Sequence, residues 1–132
     1  FSGVGSFGLE CLSRGALNAI FVENYKEVLD ILKKNIKNLN YVNSSSIIEK
    51  DIFDKLDFKK LNKFDIIFID APYKEKRVGI LLQKIFDAKI LNDKAIIIIH
   101  RNKKENENFI DNFNIIEEKV YGISKVIFGN FF

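Results

Sequence analysis

Apolar and polar positions along this chain switch between two periods, one suited to helices and one to strands. Ser6 to Arg14 reads as a short helix, with Gly15 as its stop signal. Asn18 to Glu23 reads as a strand. From Tyr25 to about Asn38 the residues Val28, Ile31, Leu32 and Ile36 recur at helical spacing, with lysines on the other face. Ser45 to Lys50 predicts a short strand ending at Asp51. Phe64 to Asp70 is almost continuously apolar, the pattern of a parallel strand covered on both faces. Val78 to Ala88 predicts a helix and Ala95 to His100 another buried strand. Lys103 to Asn112 predicts a polar helix or loop. Phe113 to Val120 and Ser124 to Phe131 predict two last strands around Tyr121-Gly122-Ile123.

Alternation of this kind predicts an α/β fold, a mostly parallel sheet with helices on both faces. The last two strands follow each other too closely for a helical crossover, so they should form an antiparallel hairpin. That combination is the Rossmann-like arrangement of class I methyltransferases rather than the all-parallel dinucleotide fold. The glycine-rich opening segment needs a strand before it. The expectation is therefore a single domain over 1–132 that lacks its first strand and an N-terminal extension, a piece of a longer protein.

Composition changes this picture little. With 132 residues and 47% hydrophobic content the chain suits one globular domain. The longest apolar run, Ala95 to Ile99, is far below the roughly 20 residues of a membrane span. No signal-peptide or lipidation pattern is visible, and a lone cysteine, Cys11, fits a reducing compartment. The expected location is the cytoplasm, with no membrane partner. The net charge of +3 suits an anionic partner, but the lysines travel with many Asn and Ile, as AT-rich coding alone would give. One histidine and one cysteine make a metal site improbable. Cys11 reads as a small core residue, and His100 as a structural hydrogen-bonding group.

Candidate chemistry sits in two segments. Phe1-Ser2-Gly3-Val4-Gly5-Ser6-Phe7-Gly8 has the spacing G-x-G-x-x-G, where absent side chains let a turning backbone approach a nucleotide-like ligand. Glu23 ends the next strand, twenty residues after Gly3, where a carboxylate accepts from ribose hydroxyls. Asp51 follows the third strand at the same sheet edge. It suits either an adenine amino group, with Ile52 on the ring, or a cap on the following segment. Spacing alone does not separate S-adenosylmethionine from NAD.

The second segment is Asp70-Ala71-Pro72-Tyr73, after the most strand-like run. An exocyclic amine on a base is a poor nucleophile because its lone pair is delocalised. Acceptors held around its hydrogens aim that lone pair. Asp70 offers a carboxylate and Ala71 a carbonyl whose direction Pro72 restrains. Tyr73 offers a ring for a flipped base. Lys74, Lys76 and Arg77 flank this segment and suit either phosphate contacts or an ordinary charged surface. An ordinary strand-ending turn is the alternative for the whole segment.

Taken together, residues 1–16, Phe21-Val22-Glu23-Asn24, Asn35, Asp51, the run from Phe64 to Tyr73, His100 and Tyr121-Gly122-Ile123-Ser124-Lys125 resemble the RsmD family. Its members are 16S ribosomal RNA (guanine-N2)-methyltransferases. The resemblance implies S-adenosylmethionine as cofactor and 16S rRNA or the small ribosomal subunit as partner, with a monomeric enzyme and no metal. It implies cofactor contacts from Phe1, Ser2, Gly3, Gly5, Gly8, Glu23, Asn24, Asp51, Ile52 and Asp70. Asp70, Ala71, Pro72 and Tyr73 correspond to the base-amine motif, and Tyr73, Lys74, Lys76 and Arg77 to substrate contacts. Ala71 stands where that family usually has proline. Two other readings stay open: an NAD-dependent oxidoreductase using the same loop, and a catalytically silent relative acting as an RNA-binding or ribosome-binding module.

Overall fold

In the computed structural model, which describes residues 1–54 and 56–132, the chain divides into two units, Phe1–Leu56 and Asp57–Phe132. The first unit holds α1 (Ser6–Ser13), β1 (Ala19–Val22), α2 (Lys26–Asn38), a 3-10 turn (Val42–Ser44) and β2 (Ser45–Ile48). β1 and β2 run parallel, with Ala19 opposite Ser45 and Val22 opposite Ile48. Leu9 and Leu12 of α1, Phe21 of β1 and Leu29, Leu32 and Ile36 of α2 form its core. Each such side chain contributes about 1.5–3 kcal/mol by leaving water. The stripe of α2 is a correction. Leu29 replaces Val28 and Ile31 on the buried side, and Ile31 is 49% exposed. Two apolar stripes offset by one residue both fit helical spacing, and packing with Leu9 and Phe21 selects the one through Leu29. Glu27 in the first turn and Lys37 in the last turn of α2 complement its dipole.

The second unit holds a 3-10 turn (Phe58–Lys60), β3 (Phe64–Ile69), α3 (Val78–Ala88), β4 (Leu91–Asn102), β5 (Asn114–Tyr121) and β6 (Ser124–Asn130). Its sheet has the order β3-β4-β6-β5. β3 and β4 are parallel and joined through α3, which buries Val78, Leu81, Leu82 and Ile85. β6 is antiparallel to both β4 and β5, so the predicted hairpin is present. It closes through Gly122, at φ 58°.

Two expectations need correction here. β3 is not covered on both faces along its length: Ile66 is 50% exposed, and burial is complete only near Ile69. Among the described residues β3 pairs with β4 alone. β4 begins at Leu91 rather than Ala95, because Leu91 pairs with Phe64 across a register shift that absorbs the polar residues between. Residues 103–113 form turns and irregular structure, the loop alternative of the expectation.

Candidate functional site

The glycine loop folds over the carboxyl end of β1. The nitrogens of Phe1 and Ser2 both donate to the Val22 carbonyl, at 2.7 and 3.1 Å. The Gly5 nitrogen donates to the Ser2 carbonyl at 3.1 Å, which closes the turn. The Asn35 amide of α2 donates to the Val4 carbonyl at 2.9 Å and holds the loop from outside. The three glycines differ in what they allow. Gly5 adopts φ 89° before the first turn of α1, a region that side chains disfavour. A Cβ on Gly8 would collide with the Phe21 ring, so Gly8 lets α1 lie close to β1. Gly3 is the one of the three with open space where a Cβ would stand.

Glu23 points back at this loop. Its Oε2 accepts from the Gly3 nitrogen at 3.1 Å. Its Oε1 lies 3.4 Å from the Tyr25 nitrogen. Parallel pairing of β1 with β2 brings Asn24 and Asp51 together, with the Asn24 amide donating to Asp51 Oδ2 at 3.3 Å. Asp51 Oδ1 accepts from the Phe53 nitrogen at 2.8 Å, so the local cap exists. Ile52 is half-buried beside it, and the rings of Phe1 and Phe53 meet edge-on at 5.9 Å. The Ser2 hydroxyl is buried without a hydrogen-bond partner among the described residues. An unpaired hydroxyl and the open Cα of Gly3 in the loop, with an acidic acceptor just past β1 facing them, fit an adenosine-type ligand with hydroxyl donors.

In the second unit, Ile69 and Ile99 are register partners, so the next residues, Asp70 and His100, stand side by side. His100 Nδ1 and Asp70 Oδ1 are 2.8 Å apart. The Tyr73 ring meets His100 edge-on at 6.2 Å. His100 is thus a hydrogen-bonding group, as expected, and its partner is the carboxylate that opens the Asp-Ala-Pro-Tyr segment.

Arg101 was not among the expected site residues. It is fully buried. Its Nη1 donates to the carbonyls of Ala71 at 3.2 Å and Pro72 at 2.9 Å. Its Nη2 donates to those of Tyr73 at 3.3 Å and Glu75 at 2.7 Å. Its Nε bonds the Glu107 carboxylate. Losing one partner of a buried ion pair costs about 3–5 kcal/mol. The Ala71 carbonyl, expected to receive an amine hydrogen, already accepts from Arg101, and Ala71 is 1% exposed. One lone pair of that oxygen is left for another donor. Alternation through Ala95, Ile97 and Ile99 places Arg101 on the buried face of β4, the signal by which the sequence marks it.

Two of the three expected phosphate contacts are matched internally. Lys76 Nζ meets Glu105 Oε2 at 2.8 Å, and this hydrogen bond holds the Glu105 carboxyl below its ordinary range. Arg77 grips Glu75 with two bonds of 2.9 Å, which lower the Glu75 carboxyl in the same way. Lys74 is exposed. A cavity of about 560 Å³ is lined by Lys76, Gly79, Gln83, Glu105 and Phe109, among others. Burial, and then neighbouring Glu10, push the Cys11 thiol up, away from the reactive thiolate. Among the described residues no group of three or more acidic, His or Cys side chains is placed to hold a metal, and no helix is long and apolar enough to cross a membrane.

Residues 1–130 match the sequence model of a family described as Conserved hypothetical protein 95. The ribosomal RNA small subunit methyltransferase D of Buchnera aphidicola subsp. Acyrthosiphon pisum is 32% identical over 120 residues, covering 91% of this chain and 62% of that protein. The protein of the same name in Haemophilus influenzae is 32% identical over 127 residues, covering 93% of this chain and 65% of its own length. The chain therefore spans just under two thirds of these two relatives. A solved structure of a conserved hypothetical protein from Streptococcus pyogenes superposes with a TM-score of 0.86 at 26% identity, covering 98% of this chain and 82% of that one. A putative methylase from Haemophilus influenzae superposes with a TM-score of 0.81 at 28% identity, covering 98% of this chain and 81% of that one, and with the alternating elements above this likeness gives the α/β, Rossmann-like class I fold. By the match over residues 1–130, the chain belongs to the RsmD family, the family described as Conserved hypothetical protein 95.

Proposed function

We propose that this chain is the methyltransferase domain of an RNA-modifying enzyme. In this reading it uses S-adenosylmethionine to methylate the N2 amino group of a guanine in 16S rRNA of the small ribosomal subunit. It acts in the cytoplasm as a monomer. The observation that carries the reading is the Asp70-Ala71-Pro72-Tyr73 segment, whose carboxylate is held by His100 and whose backbone is held by Arg101. Relatives that are ribosomal RNA small subunit methyltransferases support methyl transfer to that RNA.

S-adenosylmethionine, when bound, supplies an electrophilic methyl group on a sulfonium sulfur. Glu23 and the Ser2-Gly3 backbone hold the adenosine part, with the carboxylate accepting from ribose hydroxyls. Asn24, Asp51 and Ile52 form the adenine end, and the backbones of Phe1 and Gly5 complete the loop, while Gly8 serves the packing of α1 on β1. Asp70 accepts a hydrogen of the guanine amino group and turns the nitrogen lone pair out of conjugation. His100 fixes the direction of that carboxylate. Tyr73 stacks on the base, worth about 1–3 kcal/mol. Lys74 contacts phosphate, while Lys76 and Arg77 exchange their carboxylate partners for it.

A thermal-shift comparison with S-adenosylhomocysteine, NAD and no ligand tests the cofactor. At 100 times its dissociation constant a ligand stabilises by about 2.7 kcal/mol. That is a shift of several degrees for a chain of this size. The expected result is a shift with S-adenosylhomocysteine and none with NAD. A shift with NAD alone moves the chain to the oxidoreductase reading.

A further inference from the structure

We propose that Arg101 is the positioning residue of the Asp-Ala-Pro-Tyr segment, and that Glu107 locks its guanidinium in place. The catalytic consequence rests on the functional reading above; the structural one rests on geometry alone. Carbonyl oxygens of neighbouring residues repel one another when they converge. Here four of them, from Ala71, Pro72, Tyr73 and Glu75, converge on one guanidinium within 2.7–3.3 Å. The Glu75 nitrogen closes the turn on the Pro72 carbonyl at 2.8 Å. With its carbonyls tied to the buried side, the segment is left one orientation in which to present Asp70 and Tyr73.

Successive residues of β4 thus hold the two parts of the segment from opposite faces of the strand. His100 holds the carboxylate of Asp70, and Arg101 holds the backbone after it. Glu107, in the irregular stretch 103–113, takes the remaining Nε donor and balances the buried charge. An ion pair that served the core alone would need Glu107 only. Four further acceptors, all from one segment, assign Arg101 to that segment. Lysine cannot replace it, because three donors on a point charge do not reach five acceptors spread along a planar fork.

The test uses the full chain with two variants, Arg101→Met/Glu107→Gln and Arg101→Lys. The double variant removes the donors without leaving an unpaired charge. Its thermal midpoint should fall, because four carbonyls lose their donor, while unfolding stays a single cooperative transition. Its kcat for methyl transfer to small-subunit RNA should fall about 10–100-fold, since small misplacements of reacting groups have effects of that order. Its KM for S-adenosylmethionine should change less than about 2-fold, since none of the partners of Arg101 is among the residues that hold the cofactor. Hydrogen exchange at the amides of residues 73–75 should speed up about 10-fold as the local structure opens. Arg101→Lys should fall between the two.

A folded double variant with parental kcat and unchanged exchange at 73–75 would overturn the proposal and leave Arg101 a core ion pair. If the double variant does not fold, Arg101→Lys decides by the same two readings. If the parent chain transfers no methyl group, the functional reading fails, and the exchange result alone decides the structural claim.

Discussion

Replacing Asp70 by alanine is expected to lower methyl transfer to small-subunit RNA by at least about 100-fold, the scale of losing one preorganised group that acts on the transition state. The expectation follows from placement. Asp70 directly follows β3, beside His100, which holds its carboxylate at 2.8 Å. The side chain is still 47% exposed, so an incoming amino group has access to it. A carboxylate that is fixed on one oxygen and open on the other can aim an amine without being reorganised first. Asp70→Asn keeps the shape and one acceptor oxygen and should lie between parent and alanine. Since Asp70 is exposed and makes one partnered contact, folding should survive either change. A folded Asp70→Ala variant that works at the parental rate would remove Asp70 from the mechanism.

Glu23→Ala should weaken binding of S-adenosylhomocysteine by about 10–100-fold. A hydrogen bond to a charged group contributes about 1.5–3 kcal/mol. Each 1.4 kcal/mol is about tenfold in the dissociation constant. Glu23 also receives the Gly3 nitrogen at 3.1 Å, so alanine loosens the loop as well as removing the acceptor. Glu23→Gln separates the two effects. It keeps an oxygen for the Gly3 nitrogen but loses the charge, and should show the smaller loss. Isothermal calorimetry reads both variants. Unchanged affinity in Glu23→Ala would show that the loop and its carboxylate do not hold the adenosine.

Much of this fold can be read in the chain, and the exceptions have physical causes. α3 spans the residues its apolar spacing predicts, Val78–Ala88, because one stripe dominates there. In α2 two stripes compete, and only the neighbouring elements choose between them. The start of β4 was hidden by Asn92, Asp93 and Lys94, which look like loop until Leu91 is seen to pair with Phe64. The hairpin was legible because its connection is too short for a crossover.

The site divides in the same way. The contact of Glu23 with Gly3 follows from spacing along a strand-loop unit, which sequence carries directly. The His100–Asp70 pair depends on strand register between residues thirty positions apart, which no local pattern encodes. Four of the acceptors around Arg101 are backbone oxygens, identical in every residue type, so nothing in the sequence names them. The motif spacing makes all three glycines ligand-facing, yet the Gly8 position is closed by the Phe21 ring. Motif spacing tells that a side chain is absent; packing tells for which neighbour.

The reaction proposed for this chain is transfer of a methyl group to a guanine amino group in RNA. The most direct measurement incubates the protein with isotopically labelled S-adenosylmethionine and unmodified small ribosomal subunits, digests the RNA to nucleosides and identifies the labelled product by mass spectrometry. Label is expected in N2-methylguanosine. Label in a ribose, a ring nitrogen or ribosomal protein, or no label with folded protein and intact subunits, would contradict it.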